Sequence, residues 1–165
     1  MIDPALWDDV RRLTRSAFAT SLHFSLSTIG ADGSPAVTPI GSLCLLEPGR
    51  ACYLEFHATG LGHRLDADPR VSILAVDSSR LRWLRALLSG RFARRPAVRL
   101  VGRADGPARP ATEQDLARFT RQVALVRALP GGRKLWQRNA RVRELRIERI
   151  DEVGVGPLTR LQRAT

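Results

Sequence analysis

The sequence has almost no lysine, few aromatic residues and no long apolar segment. Lys134 is the only lysine among its 27 basic residues, and aromatic residues make up 5% of the 165. No stretch approaches the roughly 18 consecutive apolar residues of a membrane-spanning helix, so we expect none. The N-terminus carries acidic residues and lacks the basic start and apolar core of a signal peptide. We therefore expect a cytoplasmic protein.

Cysteine and histidine are also scarce, with two and three residues. Cys44 and Cys52 lie symmetrically about a Pro48-Gly49 turn, so they would face each other across a hairpin. In a reducing compartment we interpret them as small buried thiols rather than as a disulfide. The sequence has neither a CxxC motif nor a spacing typical of metal ligands, and it therefore predicts no metal site.

The composition is that of one globular domain, with 44% hydrophobic and 26% charged residues. A chain of 165 residues fits a single domain that spans residues 1–165 and buries its own core. The net charge of +11 is uneven, because residues 1–77 hold six basic and nine acidic side chains whereas residues 78–165 hold 21 and seven. This asymmetry raises the question of an anionic partner.

Hydrophobic periodicity predicts a sheet with helices around it. Asp3 and Pro4 are typical of a helix start, and the helical spacing that follows predicts a helix over residues 4–19. The predicted strands cover residues 24–29, 35–46, 50–57, 71–76, 97–104 and 142–150. Further helices are predicted from Thr59 to about residue 67, over 80–95, and within 112–140 before the last strand, in two pieces separated near residues 130–132. Pro39 and Gly41 interrupt the second strand, which indicates an edge, a bulge or close approach by a ligand.

The predicted architecture is a mainly β, α+β domain: a mostly antiparallel barrel of five to seven strands, flanked by helices. Residues 80–103 are rich in arginine, and their role stays open among three interpretations. They form a solvated face or dimer surface, the rim of a pocket for an anionic ligand, or a surface for nucleic acid or an acidic membrane. The first is favoured and nucleic acid is disfavoured, since no nucleic-acid motif accompanies the charge.

Four segments together resemble the pyridoxamine 5′-phosphate oxidase-like family of split-barrel flavin proteins. They are STIGADGSPAVTPIG (27–41), YLEFHATGLGHRLDADPRVSILAV (53–76), RLVGRAD (99–105) and RELRIERIDEV (143–153). The resemblance implies a split β-barrel that forms a homodimer, with FMN at the interface. It also implies a flavin-dependent oxidoreductase that acts on a small-molecule substrate, whose identity the resemblance does not give.

In such proteins the FMN phosphate meets a serine or threonine followed by a basic pair at the start of a helix. Thr59 matches the hydroxyl position here, but Gly60-Leu61 stand where the basic pair is expected. His63 and Arg64 lie one helical turn later and are candidates to compensate. The full set of predicted cofactor-binding residues is Thr38, Pro39, Ile40, Gly41, Ser42, Phe56, His57, Ala58, Thr59, His63 and Arg64.

The departure at Gly60-Leu61 leaves alternatives open. A haem-binding or haem-degrading relative is one, with His57 and His63 as possible iron ligands, and a deazaflavin-binding protein is another. A non-enzymatic basic binding module is the third. No residue is named as a catalytic acid or base, because a flavin carries the redox chemistry itself.

Overall fold

The computed structural model describes residues 2–55, 60–122 and 140–159, in which eight strands form one antiparallel sheet. The strands are β1 Phe24–Ile29, β2 Pro35–Ile40, β3 Cys44–Leu45, β4 Arg50–Glu55, β5 Arg70–Val76, β6 Ala97–Ala104, β7 Arg109–Pro110 and β8 Arg141–Val153. The helices are α1 Pro4–Ser21, α2 Gly60–Ala67, α3 Arg80–Ser89 and α4 Glu113–Gln122, and a short 3-10 helix covers Gly156–Leu158.

The strand order is β2-β1-β5-β6-β8-β4-β3, with β7 paired to β8. The order leaves β2 and β3 at opposite ends of the sheet, although residues 41–43 alone connect them in the chain. Ser42 closes this connection, because its hydroxyl donates to the carbonyl of Leu54 and accepts from the Leu54 amide, at 3.1 and 3.0 Å. The sheet therefore curls until its two ends approach each other. The prediction of a mostly antiparallel sheet flanked by helices is confirmed.

The core lies inside this curl and is covered by α1. Asp3 begins the helix, because its carboxylate accepts hydrogen bonds from the amides of Ala5 and Leu6. Trp7 and Phe18 of α1 pack against the inner face of the sheet, and the Trp7 indole donates to the Leu46 carbonyl at 2.8 Å. A second apolar cluster lies on the other side of β4 and β8, and it consists of Cys52, Leu54, Phe119, Ala140 and Val142. Both faces of β4 are buried for this reason.

Several element boundaries differ from the sequence prediction. The helix predicted over 80–95 ends at Ser89, because Gly90 adopts a left-handed conformation with φ of 69°. The strand predicted over 35–46 is divided into β2 and β3. Strand β2 lies at the edge of the sheet, which is one of the three interpretations given above for Pro39 and Gly41. The two-residue strand β7 was not predicted. The second predicted helix, over 133–140, lies almost wholly outside the described residues.

The two cysteines face each other as predicted. Cys44 of β3 and Cys52 of β4 are directly opposed across the strand pair, and both are thiols. Burial raises the pKa of Cys44 to about 12 and that of Cys52 to about 11. Neither thiol is therefore ionised near neutral pH. Among the described helices, none combines the length and apolar character that crossing a membrane requires.

Candidate functional site

Strand β2 divides the predicted cofactor-binding residues between two faces of the sheet. Thr38 and Ile40 point to the inner face, where Thr38 is half-buried and Ile40 is 7% exposed. Pro39 lies on the outer face and is exposed, as is its neighbour Val37. Gly41 follows the strand and is exposed as well. Only the inner face of β2 therefore brings these residues against other polar side chains.

Arg64 of α2 is the polar side chain that reaches β2. Its Nε donates to the Thr28 hydroxyl at 2.9 Å and one Nη donates to the Thr38 hydroxyl at 3.1 Å. Thr28 and Thr38 belong to neighbouring strands and share one face of the sheet. The guanidinium group thus fastens α2 to the edge of the sheet. It also brings together two of the residues predicted from the sequence, Thr38 and Arg64.

The first turn of α2 accommodates the same guanidinium group. A Cβ atom at Gly60 would lie 2.9 Å from the other Nη of Arg64, so a larger residue there would make the guanidinium group shift from this position. That Nη donates to no described residue. Leu61, the second residue of the missing basic pair, is 4% exposed and belongs to the core. The structure therefore places one cation, from Arg64, beside the position that Gly60-Leu61 leave uncharged.

The other predicted residues have different surroundings. His63 is exposed on α2 and makes no hydrogen bond with another described residue. The hydroxyl of Ser42 is bonded to the backbone of Leu54 inside the protein, so this hydroxyl fastens the chain to β4. Phe56, His57, Ala58 and Thr59 lie outside the described residues. Within the described part of the chain, no group of three or more potential metal ligands occurs.

A buried charged network beneath α2 was not predicted from the sequence. Arg143 of β8 is 2% exposed, and its Nε donates to Glu55 of β4 at 2.9 Å while one Nη donates to Asp66 of α2 at 2.7 Å. The Tyr53 hydroxyl donates to the same Glu55 oxygen at 3.2 Å. Burial, together with the nearby Glu55 charge, raises the pKa of Tyr53, so the phenol stays a donor.

The network fixes α2 against β4 and β8. Gly62 of α2 packs directly on the Glu55 carboxylate and has no space for a side chain. Helix α2 is thus bonded to β8 through Arg143 and Asp66, and to β1 and β2 through Arg64. No local sequence signal marks the pair of Glu55 and Arg143, because 88 residues separate them and only the register of β4 with β8 brings them together.

Comparison with known proteins identifies the family. The sequence profile described as pyridoxamine 5′-phosphate oxidase matches residues 12–154, which is most of the chain. The chain belongs to the pyridoxamine 5′-phosphate oxidase family. No curated protein matches the chain.

Similar solved structures share the fold at low sequence identity. An FMN-binding protein of Syntrophomonas wolfei is 11% identical, with a TM-score of 0.60 over 90% of this chain and 88% of that one. The haem storage protein of Vibrio cholerae is 14% identical, with a TM-score of 0.56 over 88% and 92%. A Lactobacillus delbrueckii protein assigned as a pyridoxamine 5′-phosphate oxidase is 21% identical, with a TM-score of 0.51 over 85% and 90%. These similarities confirm the predicted split-barrel fold.

Residues 60 and 61 differ from the pattern expected of flavin-binding members of this family. The basic pair expected of these flavin proteins is absent from this chain of the family, and its second position is used for the core. Arg64, one turn further along α2, carries a positive charge whose guanidinium lies beside Gly60 in the first turn.

Proposed function

We propose that the protein binds FMN where β2 meets the first turn of α2, and that it is an oxidoreductase acting on a small molecule. The observation that carries this proposal is the position of Arg64, which hydrogen bonds to Thr28 and Thr38 and lies against Gly60. A helix N-terminus favours an anion, because its first amides lack partners within the helix. Arg64 adds a full positive charge at that point.

The residues present fit the phosphate group of FMN. Arg64 retains one Nη whose hydrogens are not used by the described residues, and a guanidinium donates well to phosphate oxygens. Thr38 is half-buried at the same edge and offers a hydroxyl. One arginine would thus do the work of the basic pair seen in the resembling proteins.

FMN, when bound, supplies the redox chemistry, while the protein orients it and controls access to it. Arg64 would hold the phosphate and Thr38 would contact it from the edge of the sheet. Among the described strands β2 pairs with β1 alone, so its second edge leaves backbone polar groups, chiefly carbonyls because Pro35 and Pro39 lack an N–H, available to a flat ring system. The network of Glu55, Arg143 and Asp66 would keep α2 at a fixed distance from that edge.

The test is a titration of the purified protein with FMN and with riboflavin, followed by flavin fluorescence. We expect one FMN per chain. Arg64→Gln should weaken FMN binding by about tenfold to a hundredfold, since it removes a charge-assisted contact of about 1.5–3 kcal/mol. Riboflavin lacks the phosphate, so the same substitution should change its binding much less.

Arg70→Gln is the matched control, because Arg70 is exposed near α2 and pairs with Asp68 rather than with the proposed site. The control should bind FMN like the wild type. The proposal is wrong if the wild type binds no FMN, or if Arg64→Gln weakens FMN and riboflavin equally. Titration with a deazaflavin in place of FMN tests that alternative at the same site.

Haem binding is a second candidate, and exposed His63 is the observation that favours it. The imidazole lies one residue before Arg64 on α2 and is open to an iron ligand role, with Arg64 near enough to receive a propionate. A haem titration should then give a Soret band that His63→Ala shifts or abolishes. A Soret band that is unchanged in His63→Ala argues against this use of the site.

A further inference from the structure

Helix α3 turns its apolar side towards solvent. Leu81, Leu84, Leu87 and Leu88 are 58%, 53%, 64% and 80% exposed, whereas the only buried residue of the helix is Ala86. Residues in a helix are about 100° apart around the axis, so Leu84 and Leu88 lie opposite Ala86. A surface helix of a globular protein normally buries its leucines. In α3 the leucines are exposed instead, and the small Ala86 is buried.

The helix is anchored to the domain by its other side. The Trp83 indole donates to the Asp77 carbonyl at 3.2 Å, and its ring packs edge-on against Phe92 with centroids 5.1 Å apart. Arg82 forms an ion pair with Asp77, which is fully buried. Because the inner side of α3 is fixed in this way, the leucines are presented as a fixed ridge on the surface.

Positive charge surrounds the leucine ridge. Residues 78–96 contain six arginines and no acidic residue. Arg82 and Arg95 pair with Asp77 and Glu152. The other four arginines are exposed and form no ion pair with an acidic side chain of the described residues: they are Arg80, Arg85, Arg91 and Arg94. Arg80 and Arg85 belong to α3 and flank its outward leucines.

We propose that α3 binds the surface of an anionic lipid bilayer, with its leucines in the headgroup and acyl boundary and its arginines among the headgroups. Interfacial helices combine an apolar face with basic residues in this way, and each basic residue near an anionic bilayer adds to the attraction. The surface thus matches both the apolar layer and the negative charge of such a bilayer.

Other occupants of this surface match it less well. In a symmetric dimer the same patch meets itself, which would set the unpaired arginines against their own copies. Nucleic acid would neutralise the arginines but would leave the leucines exposed, since phosphate contacts dominate such binding. A bilayer with anionic headgroups satisfies both sets of side chains.

The test is co-sedimentation of the full-length protein with vesicles of phosphatidylcholine alone and of phosphatidylcholine with phosphatidylglycerol. We expect binding to the anionic vesicles only. Leu84→Ser with Leu88→Ser should reduce the partition coefficient by about tenfold or more per leucine, since each loses apolar burial. Arg80→Gln with Arg85→Gln should reduce it by about fivefold per arginine and lower its salt dependence.

Matched controls separate this surface from general basicity. Arg12→Gln with Arg15→Gln removes two exposed arginines from α1, and Leu116→Ser removes an exposed leucine from α4. These variants should bind anionic vesicles like the wild type. Equal loss in the α1 and α3 arginine variants would show adhesion by net charge and would overturn the proposal.

Three other outcomes also overturn it. One is equal binding to neutral and to anionic vesicles. Another is a protein that binds no vesicles and forms oligomers, if the leucine substitutions dissociate those oligomers. The third is a large fall in the melting temperature of the leucine variant without vesicles, because it would show that the chain itself covers the ridge in solution.

Discussion

Glu55 and Arg143 form a charged pair that is almost completely removed from water, with exposed fractions of 8% and 2%. Such a pair is costly to break from one side, because the remaining charge stays buried without its partner. Arg143→Met should therefore lower the free energy of unfolding by about 3–5 kcal/mol, since among the described side chains it leaves the Glu55 carboxylate with the Tyr53 hydroxyl alone. Urea denaturation measures the change.

The double variant Glu55→Met with Arg143→Met is the informative comparison. It removes both buried charges and should cost less than the sum of the two single substitutions, because the one carboxylate left without Arg143, that of Asp66, is exposed to water. Asp9→Ala is the control, as it breaks the exposed pair with Arg12 and should cost less than about 1 kcal/mol. Additive losses in the double variant would show that the two charges are not coupled.

Individual residues were predictable from the sequence where a local pattern carried them. Arg64 was considered because it lies one turn after Gly60-Leu61, and the structure then placed its side chain over that turn. The buried position of Arg143 was not predicted, since arginine is rarely buried and its partner lies 88 residues away. The sequence does not record which strand lies beside which, and that neighbour decides whether a charge is buried.

Helix α4 begins with a reciprocal cap, which the TEQD motif at residues 112–115 forms. The Asp115 carboxylate accepts from the amide and hydroxyl of Thr112 at 3.0 and 2.8 Å, and the Asp115 amide donates back to the Thr112 hydroxyl at 3.2 Å. Arg109 of β7 donates to the same carboxylate at 2.7 Å. The cap is thus joined to an ion pair that fastens α4 to the sheet.

The pH dependence of the free energy of unfolding should reveal the ionisation of the Asp115 carboxylate. The hydrogen bond from Arg109 lowers the pKa of Asp115 to about 2, below the ordinary value of 3.8. A folded-state pKa below the unfolded one stabilises the fold above pH 3.8, and the stabilisation is lost as the pH falls through about 2. Asp115→Asn should therefore cost about 1 kcal/mol near neutral pH, after allowance for solvent around Arg109, and progressively less towards pH 2.

Urea denaturation of both proteins between pH 2 and 7 measures this difference. Glu113→Gln is the control, since Glu113 is exposed in the same turn and has no such partner among the described residues. A difference between the wild type and Asp115→Asn that stays constant over the whole range would contradict the assignment.

Helices and strands were predictable to the extent that their signals are local. The ends of β1 and β6 follow from turn residues and alternation. The end of α3 did not, because the helix was predicted to reach residue 95 and ends at Ser89, before the left-handed Gly90. The strands β3 and β7 have two residues each and carry no periodicity of their own. Their existence depends on the neighbouring strands β4 and β8, so only the assembled sheet defines them.

The order of the elements in the whole molecule was predictable from the resemblance, which also implies a homodimer. Val37, Ser27, Ser72 and Val101 lie in one row across β2, β1, β5 and β6 on the outer face. Val37 is 63% exposed, and the other three are half-buried. Small side chains of this kind let another surface approach closely. We infer that this face forms the interface of a homodimer with the cofactor beside it.

Val37→Arg should break that homodimer. It sets a large charged side chain against its own copy across a symmetric interface, where the two positive charges repel. The wild type should have twice the 18.3 kDa mass of one chain in light scattering, and the variant should approach the mass of one chain.

FMN binding should weaken in parallel, because the proposed site lies at the same edge of the sheet. Leu116→Arg, on exposed α4, should leave both properties unchanged. A wild type that binds FMN as a single chain would refute the dimer and leave the cofactor site standing, whereas a Val37→Arg variant that remains a dimer would place the interface on another face.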